Sequence, residues 1–278
     1  MEATKKQKLQ AIANNVRIGI IEGVYSAGCG HPGGSLSIAD VMSYLYFEEM
    51  NVDPKNPAMP TRDRFVLSKG HTAPCLYAVL AERGFFPKEE LTTLRKIDSR
   101  LQGHPDMKHI PGVDMSTGSL GLGISTACGM ALSAKVSGDS YRVYTVLGDG
   151  ECEEGQVWEA AMFAAHYKLD NLCALVDFNG LQIDGRITDV MNPTPFDKKF
   201  EAFGWNVITI DGHDLDQIEA AYTAARSVKG KPTVIISNSV KGKGVSYMEN
   251  AVEWHGAAPK EEQYKIAIAE LKGEKSNG

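Results

Sequence analysis

Residues 143–184 read VYTVLGDGECEEGQVWEAAMFAAHYKLDNLCALVDFNGLQID, and the pattern of this segment indicates the fold class. Two apolar runs, 142–147 and 172–177, lie on either side of a segment with helical spacing at 156–167. Continuous apolar strands that flank a helix are typical of a βαβ unit, in which the strands run parallel and are buried on both faces. The sequence therefore predicts an α/β fold, with a parallel sheet and helices on both of its faces.

The same alternation extends over most of the chain. Further helices are predicted at residues 4–26, 38–50, 73–83, 120–136 and 215–228, and further strands at 64–68, 206–211 and 233–237. Ser37 and Asp40 resemble a capping box for the helix at 38–50, and Pro87 is placed to open another helix. Residues 103–119 have no periodic pattern and predict a long loop, a feature that is usually functional. We expect a single domain over 1–278, with a flexible tail from about residue 273.

Composition and charge exclude several classes of protein. The 278 residues include 29 Lys and Arg against 35 Asp and Glu, a net charge of −6, which argues against non-specific nucleic-acid binding. No apolar run approaches the roughly 18 residues of a membrane span, and the first ten residues have no signal-peptide core. The five cysteines are scattered without CxxC spacing, as in a reducing compartment. These features predict a cytoplasmic protein that binds neither nucleic acid nor membrane.

Polar residues follow the two predicted strands at 142–147 and 172–177. Gly148-Asp149-Gly150 ends the first strand and Asn179 follows the second. The carboxyl ends of parallel strands share one edge of a sheet, so Asp149 and Asn179 should lie together. A carboxylate with an amide oxygen suits magnesium, and glycine lets the backbone approach a diphosphate. A tight turn would explain the glycines alone, but the Asn one βαβ unit later makes a metal site the more specific interpretation.

These motifs belong to a wider set that resembles one family. A Gly-Asp-Gly followed about thirty residues later by Asn resembles the thiamine-diphosphate motif. Further motifs occur in transketolase order: Gly30-His31-Pro32-Gly33, Ser68-Lys69-Gly70-His71, Gly103-His104-Pro105, Ser116-Thr117-Gly118-Ser119-Leu120-Gly121 and Trp254-His255-Gly256. The resemblance covers essentially the whole chain. It is to the diphosphate-binding half of transketolase, and most closely to the N-terminal subunit of split, two-chain transketolases.

The resemblance implies a metal and cofactor site. Asp149 and Asn179 would bind Mg²⁺ through their side chains and Leu181 through its carbonyl, and Ca²⁺ or Mn²⁺ could substitute. Phe178 stands where the family often has a first Asn, whereas Asn179 matches the metal-binding one. The residues that resemble contacts to thiamine diphosphate are His71, Gly118, Ser119, Leu120, Gly148, Asp149, Gly150, Glu154, Asn179 and His255.

Some of these positions also allow a structural interpretation. By resemblance, Gly118, Ser119 and Leu120 hold the aminopyrimidine ring, although Ser119 replaces a common Pro; the same segment would also cap the helix that follows. Gly150 would contact the diphosphate through its amide at a helix start. Glu154 resembles a buried Glu that meets its symmetry mate at the subunit interface, but a solvated Glu in a first helical turn fits the pattern too.

The histidines divide into two groups. By resemblance, His31, His71, His104 and His255 line the substrate channel, where they would bind sugar hydroxyls or move protons as catalytic residues. His109, His166 and His213 lie in no motif, and we interpret them as structural. Lys241 and Lys243 fit either phosphate contacts or a solvated basic turn.

The resemblance also implies a partner. In the family, the Glu that activates the aminopyrimidine, and groups that bind the sugar phosphate, belong to a second, pyrimidine-binding domain. We therefore expect a separate C-terminal transketolase subunit, an α2β2 assembly, and transfer of a two-carbon ketol unit from a ketose phosphate to an aldose phosphate. The alternatives are a deoxyxylulose-phosphate synthase-like enzyme, a 2-oxo acid dehydrogenase alpha-like subunit, or a non-catalytic cofactor-binding module. The sugar stays open among pentose phosphates and branched or sulfonated sugars.

Overall fold

The computed structural model describes residues 1–273, so residues 274–278, and with them the predicted tail, lie outside the described residues. A central sheet of five parallel strands has the order β1-β2-β3-β7-β6. Its strands are β1 (Arg64–Leu67), β2 (Val143–Gly148), β3 (Leu172–Phe178), β6 (Asn206–Asp211) and β7 (Thr233–Asn238). The strands β4 (Leu181–Gln182) and β5 (Gly185–Arg186) form a small antiparallel hairpin. The predicted parallel sheet is confirmed.

Ten helices surround the sheet in the described part of the chain. They are α1 (Ala3–Ala27), α2 (Pro32–Leu36), α3 (Ala39–Tyr44), α4 (Ala73–Arg83), α5 (Leu122–Ser137), α6 (Gly155–His166), α7 (Ile187–Val190), α8 (Phe196–Ala202), α9 (Leu215–Ser227) and α10 (Glu261–Leu271). Short 3-10 helices cover Gly70–Thr72, Lys88–Thr93, Gly150–Glu153 and Val252–His255. No helix among residues 1–273 has the length and apolar character needed to cross a membrane.

Alternate residues of each strand feed two separate apolar cores. Tyr144 and Val146 of β2 join the core that contains α1, α3, α4 and α9. Val143 and Leu147 of the same strand join the core that contains α5, α6 and α8. Since successive side chains point to opposite faces of a strand, helices must cover both faces to bury them.

The register of the sheet brings the chemistry-bearing motifs together. Gly148 of β2 lies directly opposite Asp177 of β3. The chain leaves both strands at the same level, and the segments that begin at Asp149 and Asn179 therefore emerge side by side. The loop predicted at 103–119 contains neither helix nor strand.

Three predictions about helix starts are wrong: the cap at Ser37, the start at residue 120 and the helix opened by Pro87. The segment 38–50 divides into α3 and a π-helical turn at Leu45–Glu49. Ser37 does not cap it, because its hydroxyl donates instead to the carbonyl of Gly34 and to the buried carboxylate of Asp177. The helix predicted from residue 120 begins at Leu122, since Gly121 caps it with a left-handed φ of 81°. Pro87 precedes a 3-10 helix rather than an α-helix.

The sequence analysis also missed several elements. Helices α8 and α10 and the β4–β5 hairpin were not predicted. Their apolar residues are few and close to turn residues, so no long periodic pattern marks them. The hairpin matters for function, because it follows Asn179 directly and carries Leu181.

Two glycines of α5 offer a matched test of how closely this helix approaches the end of β1. A Cβ at Gly123 would lie 2.5 Å from the Cα of Ser68, whereas a Cβ at Gly129 would meet no atom within 4 Å. We expect Gly123→Ala to lower the free energy of unfolding by about 1–3 kcal/mol through overpacking. Gly129→Ala should raise it by about 0.5–1 kcal/mol, because alanine favours helix. Denaturant unfolding of both variants measures the difference; equal effects would contradict the close approach.

Candidate functional site

A cavity of about 480 Å³ opens where β2 and β3 end. Eleven of the sequence-predicted site residues line it: His31, His71, Gly118, Leu120, Gly148, Asp149, Gly150, Glu154, Asn179, Leu181 and His255. Its other lining residues include Lys69, Glu151, Gln182, Asp184 and Lys241. The cavity thus combines residues from segments that are more than two hundred positions apart in the chain.

The three expected metal ligands lie together on one side of this cavity. The carboxylate of Asp149 accepts the backbone N–H of Gly180 at 2.6 Å, next to Asn179. The side-chain oxygen of Asn179 accepts the backbone N–H of Leu181 at 3.1 Å. These bonds hold the segment 179–181 against Asp149, and Asp149, Asn179 and Leu181 all line the cavity.

The donor set fits a hard divalent cation bound together with a diphosphate. Burial, reinforced by the nearby charge of Asp177, raises the pKa of Asp149 to about 7. A cation at this place would favour the charged carboxylate. No group of three or more His, Cys, Asp or Glu suited to a metal occurs within residues 1–273. Mg²⁺, which takes few protein oxygens and completes its shell with phosphate and water, matches such a sparse set.

The two lysines that the sequence left undecided occupy different environments. Lys241 is 1% exposed and lines the cavity, where its ammonium donates to the carbonyl of Leu181 at 3.0 Å and contacts Nδ1 of His255 at 2.8 Å. Burial lowers the pKa of Lys241 to about 8, although the carboxylate of Asp149 acts in the opposite direction. Lys243 lies outside this cavity and pairs with Glu249 at 3.4 Å. Lys241 is therefore placed for an anionic ligand.

Three of the four predicted histidines form a cluster against the cavity. The ring centroids of His31 and His71 lie 5.1 Å apart, those of His31 and His255 5.5 Å, and those of His71 and His255 5.4 Å. Their positions follow from local structure, since His31 precedes α2 and His71 lies in the 3-10 turn before α4. The motifs that carry them are brought together only by the fold.

The electrostatics keep this cluster neutral. Burial, with the positive charges of Arg95, His104 and Lys241, lowers the pKa of His31 to about 4. Burial and Lys241 lower the pKa of His255 to about 3, and burial with Lys69 also lowers that of His71. Nδ1 of His31 is buried with no hydrogen-bond partner among the described residues. A neutral imidazole offers one donor and one acceptor, and this unpaired nitrogen is suited to a polar ligand.

The remaining predicted residues surround the cavity less directly. His104 does not line it, but its ring lies against Gly118, since a Cβ there would come within 3.1 Å of the ring. Ser119 is exposed and lies outside the lining, between Gly118 and Leu120. Glu154 is exposed at the cavity edge in the single chain, so its interface role stays a prediction.

Gly70 explains why two of the motifs adjoin. A Cβ at this position would lie 2.7 Å from Oγ1 of Thr117 and 2.8 Å from the backbone N of Gly118. Only glycine lets the turn that carries His71 approach so close to the segment 117–120. The Ser-Lys-Gly-His and Ser-Thr-Gly-Ser-Leu-Gly motifs therefore form one wall of the cavity.

The sequence analysis missed a buried ion pair beneath the site. Lys69 donates to the carboxylate of Asp177 at 2.6 Å and to the carbonyl of Gly34 at 2.9 Å. Asp177 is fully buried, yet Lys69 and hydroxyl donors outweigh the effect of burial and hold its pKa below the ordinary value. Each residue stands out in the sequence, since Lys69 lies in the Ser-Lys-Gly-His motif and Asp177 ends a predicted strand. Neither pattern indicates that the two side chains form an ion pair.

Glu151 is a second missed residue. It is buried, and its carboxylate accepts the hydroxyl of Ser68 at 2.5 Å and the backbone N–H groups of Gly121 and Gly148, each at 2.9 Å. These three donors come from the segments after β1, before α5 and at the end of β2. Glu151 thus links three walls of the cavity, and its sequence position in a Glu-rich turn resembles a solvated residue.

Comparison with known proteins gives the cavity a family context. Residues 8–274 match the family model described as transketolase, thiamine diphosphate binding domain. The chain is 48% identical over 266 residues to the 6-deoxy-6-sulfo-D-fructose transketolase subunit SqwG of Clostridium sp. (strain MSTE9), an alignment that covers 96% of this chain and 97% of that protein.

Two longer proteins are similar over part of their length. Transketolase of Homo sapiens is 47% identical over 270 residues, which cover 96% of this chain and 43% of that protein. The crystal structure of transketolase from Campylobacter jejuni superposes with a TM-score of 0.91 at 34% identity and covers 100% of this chain and 44% of that one. The chain therefore spans less than half of these longer transketolases.

The neutral histidine cluster predicts acid lability. Because the pKa of His31 is lowered to about 4 from the ordinary 6.5, the folded chain binds fewer protons than the unfolded chain between these values. Stability should fall as the pH drops through this window. We expect His31→Gln, which cannot titrate, to lose less of its thermal unfolding midpoint between pH 7 and pH 5 than the wild type. His166→Gln, at an exposed position on α6, should behave as wild type; identical curves for all three would refute the prediction.

Proposed function

The chain belongs to the transketolase family, and on this premise we propose that it is the diphosphate-binding subunit of a transketolase built from two kinds of chain. With its partner it transfers a two-carbon ketol unit from a ketose to an aldose, both carrying a terminal anionic group. The proposal rests mainly on one observation. A single cavity is lined by oxygen ligands for a metal, by a buried cationic side chain and by a cluster of neutral histidines. The near full-length similarity to a transketolase subunit supports the two-chain form.

The residues on the metal side of the cavity would hold Mg²⁺ and the cofactor diphosphate. Asp149, Asn179 and the carbonyl of Leu181 supply oxygen ligands, and the ammonium of Lys241 supplies a charge-assisted donor to phosphate oxygens. Gly150 begins a 3-10 turn, and a Cβ there would meet the side chain of Gln182 at 2.7 Å. Thiamine diphosphate, when bound, supplies the carbon nucleophile and electron sink that two-carbon transfer requires.

The histidines would act on the substrate. His31 and His71 are held neutral, so each can accept from one hydroxyl and donate to another oxygen of a sugar. Nδ1 of the neutral His255 accepts from the Lys241 ammonium, so this ring can donate to a sugar oxygen through Nε2. His104 adjoins Gly118 and would extend the same polar wall. A neutral imidazole can also take up a proton from a hydroxyl and return it, which is the acid–base role that ketol transfer needs.

A partner chain would complete the site. Three exposed apolar side chains line the cavity, Leu120, Ile183 and Val190, and the exposed Met191 follows the last of them. Exposed apolar groups at the rim of a polar cavity are typical of an interface with another protein. The partner would bring a pyrimidine-binding domain with the activating Glu. Glu154 would meet its symmetry mate where two copies of this chain adjoin in the assembly. An α2β2 assembly in the cytoplasm is part of the proposal.

The substrate is open among anionic sugars. The relative of nearly equal length carries a name for a sulfonated ketose, and the longer relatives are named only transketolase. We propose ketose phosphates as the default donors and include sulfonated and branched ketoses in the test. Two alternatives remain distinguishable by product: carbon dioxide released from a 2-oxo acid would favour a synthase-like or dehydrogenase-like enzyme, and binding without turnover would favour a non-catalytic module.

The two lysines give a matched test of cofactor binding. Lys241→Met removes a buried cationic donor from the cavity, and we expect the dissociation constant for thiamine diphosphate in saturating Mg²⁺ to rise about ten- to hundredfold. Lys243→Met removes a charge outside the cavity and should change it less than about twofold. Isothermal titration calorimetry measures both, and an equal effect of the two substitutions would contradict the assignment of Lys241.

Reconstitution tests the function itself. The chain is combined with the pyrimidine-domain subunit from the same genome, Mg²⁺ and thiamine diphosphate, and two-carbon transfer is followed by mass spectrometry over a panel of phosphorylated, sulfonated and branched ketoses. We expect transfer only when both chains are present. Asp149→Ala should reduce the rate at least about 100-fold, because the metal loses its only carboxylate ligand. Full activity of the single chain would refute the two-chain proposal.

A further inference from the structure

The segment that presents Lys241 to the cavity is residues 239–243, which follow β7 and are called here the lysine loop. Its backbone is attached to the rest of the chain at several points. The N–H of Gly242 donates to the carbonyl of Gly33 at 2.9 Å, and the carbonyl of Lys241 accepts the N–H of Asn250 at 2.9 Å. Gly242 has a φ of 81°, and a side chain there would collide with Met248. The position of the Lys241 ammonium is therefore set by the backbone of this loop.

A half-buried histidine, His213, contacts the residue just before Lys241. The backbone N–H of Val240 donates to Nε2 of His213 at 2.9 Å. Nδ1 of the same ring lies 2.8 Å from Oδ2 of Asp40. His213 follows β6 and Asp40 lies in α3, so these two hydrogen bonds join two distant parts of the chain to the lysine loop.

The chemistry of the three groups determines the form of the imidazole. A backbone N–H can only donate, so Nε2 of His213 must be the acceptor and carries no proton. Nδ1 therefore carries the proton of the neutral ring and donates it to Asp40. Burial opposes ionisation of Asp40, but hydrogen bonds from His213 and Arg17 and the charge of Arg17 outweigh it and hold the pKa of Asp40 below its usual value. The ionised carboxylate selects the tautomer that accepts from Val240.

Arg17 secures the other end of the lysine loop. Its guanidinium donates through Nη2 to Asp40 at 2.5 Å and through Nε to the carbonyl of Lys243 at 3.1 Å. Asp40 is thus the common anchor for one group that binds Val240 and another that binds Lys243. The two contacts lie on either side of Lys241.

We propose that His213 is a positioning residue for the cofactor diphosphate, which acts by holding the lysine loop so that the Lys241 ammonium faces the cavity. The inference rests on the proposed function, since it concerns the ligand of that site. It assigns a role to a histidine that lies in no sequence motif and does not line the cavity. The resemblance of the chain to transketolases placed no function on this residue.

Two substitutions at position 213 separate positioning from simple packing. His213→Asn keeps a donor near Nδ1 for Asp40 but has no acceptor for Val240. His213→Gln places an amide oxygen near the position of Nε2 and restores that acceptor. We expect His213→Asn to raise the dissociation constant for thiamine diphosphate in saturating Mg²⁺ about tenfold, and His213→Gln to stay within about threefold of the wild type. Calorimetry on the full chain measures binding, and thermal unfolding is recorded for every variant.

A double-mutant cycle with Lys241→Met completes the test. If His213 acts through Lys241, His213→Asn will have almost no further effect once Lys241 is replaced. Additive effects of His213→Asn and Lys241→Met, or equal losses in His213→Asn and His213→Gln, would overturn the inference and leave the proposed function intact. A wild-type chain that binds no thiamine diphosphate would instead refute the proposed function, and the inference with it.

Discussion

The site depends on one buried carboxylate, that of Asp177. It lies at the end of β3 and accepts hydrogen bonds from Lys69 at 2.6 Å, from Ser37 at 2.6 Å, from Asn179 at 2.8 Å and from the hydroxyl of Ser239. Its donors come from the segments after β1, β3 and β7 and from the turn after α2. A buried charge must be paired and hydrogen-bonded, and leaving it unpaired would cost about 3–5 kcal/mol. This requirement holds the walls of the cavity in one arrangement.

Asp177 and Asp149, the two aspartates at this edge of the sheet, differ in the hydrogen-bond donors and charge partners that they have. Asp177 has four hydrogen-bond donors, one of which is the cationic Lys69, and they keep its pKa below the usual range. Asp149 follows Gly148, the residue opposite Asp177. It receives two backbone N–H groups and no direct cationic partner among the described residues, and its pKa is raised to about 7. Asp149, a buried carboxylate that has no cationic partner of its own, is suited to bind a cation that enters the cavity. Structural and functional roles are thus divided between neighbouring strand ends.

Much of the fold was predictable because long apolar segments carry periodic patterns. The strands at 64–68, 142–147 and 172–177 and the helices at 4–26 and 73–83 lie within a residue or two of the observed elements. The errors fall where tertiary contacts override local signals. Ser37 resembles a helix cap, but its hydroxyl is taken by Asp177, and the short helix α8 is stabilised by burial of Phe196 and Phe200 rather than by a long pattern of its own.

Sequence patterns alone were enough to predict the parallel sheet, the placement of Asp149 and Asn179 at the edge where its strands end, and the family. These follow from strand periodicity and from motifs whose spacing reflects one βαβ unit. Three features of the site could be seen only in the folded chain. Lys241 is buried in the cavity, whereas Lys243 lies outside it. His31, His71 and His255 form one neutral cluster, and His213 contacts the lysine loop. Burial and long-range hydrogen bonds depend on which segments the packing brings together. Residues that are far apart in the chain can therefore be in contact without any local sequence pattern that indicates it.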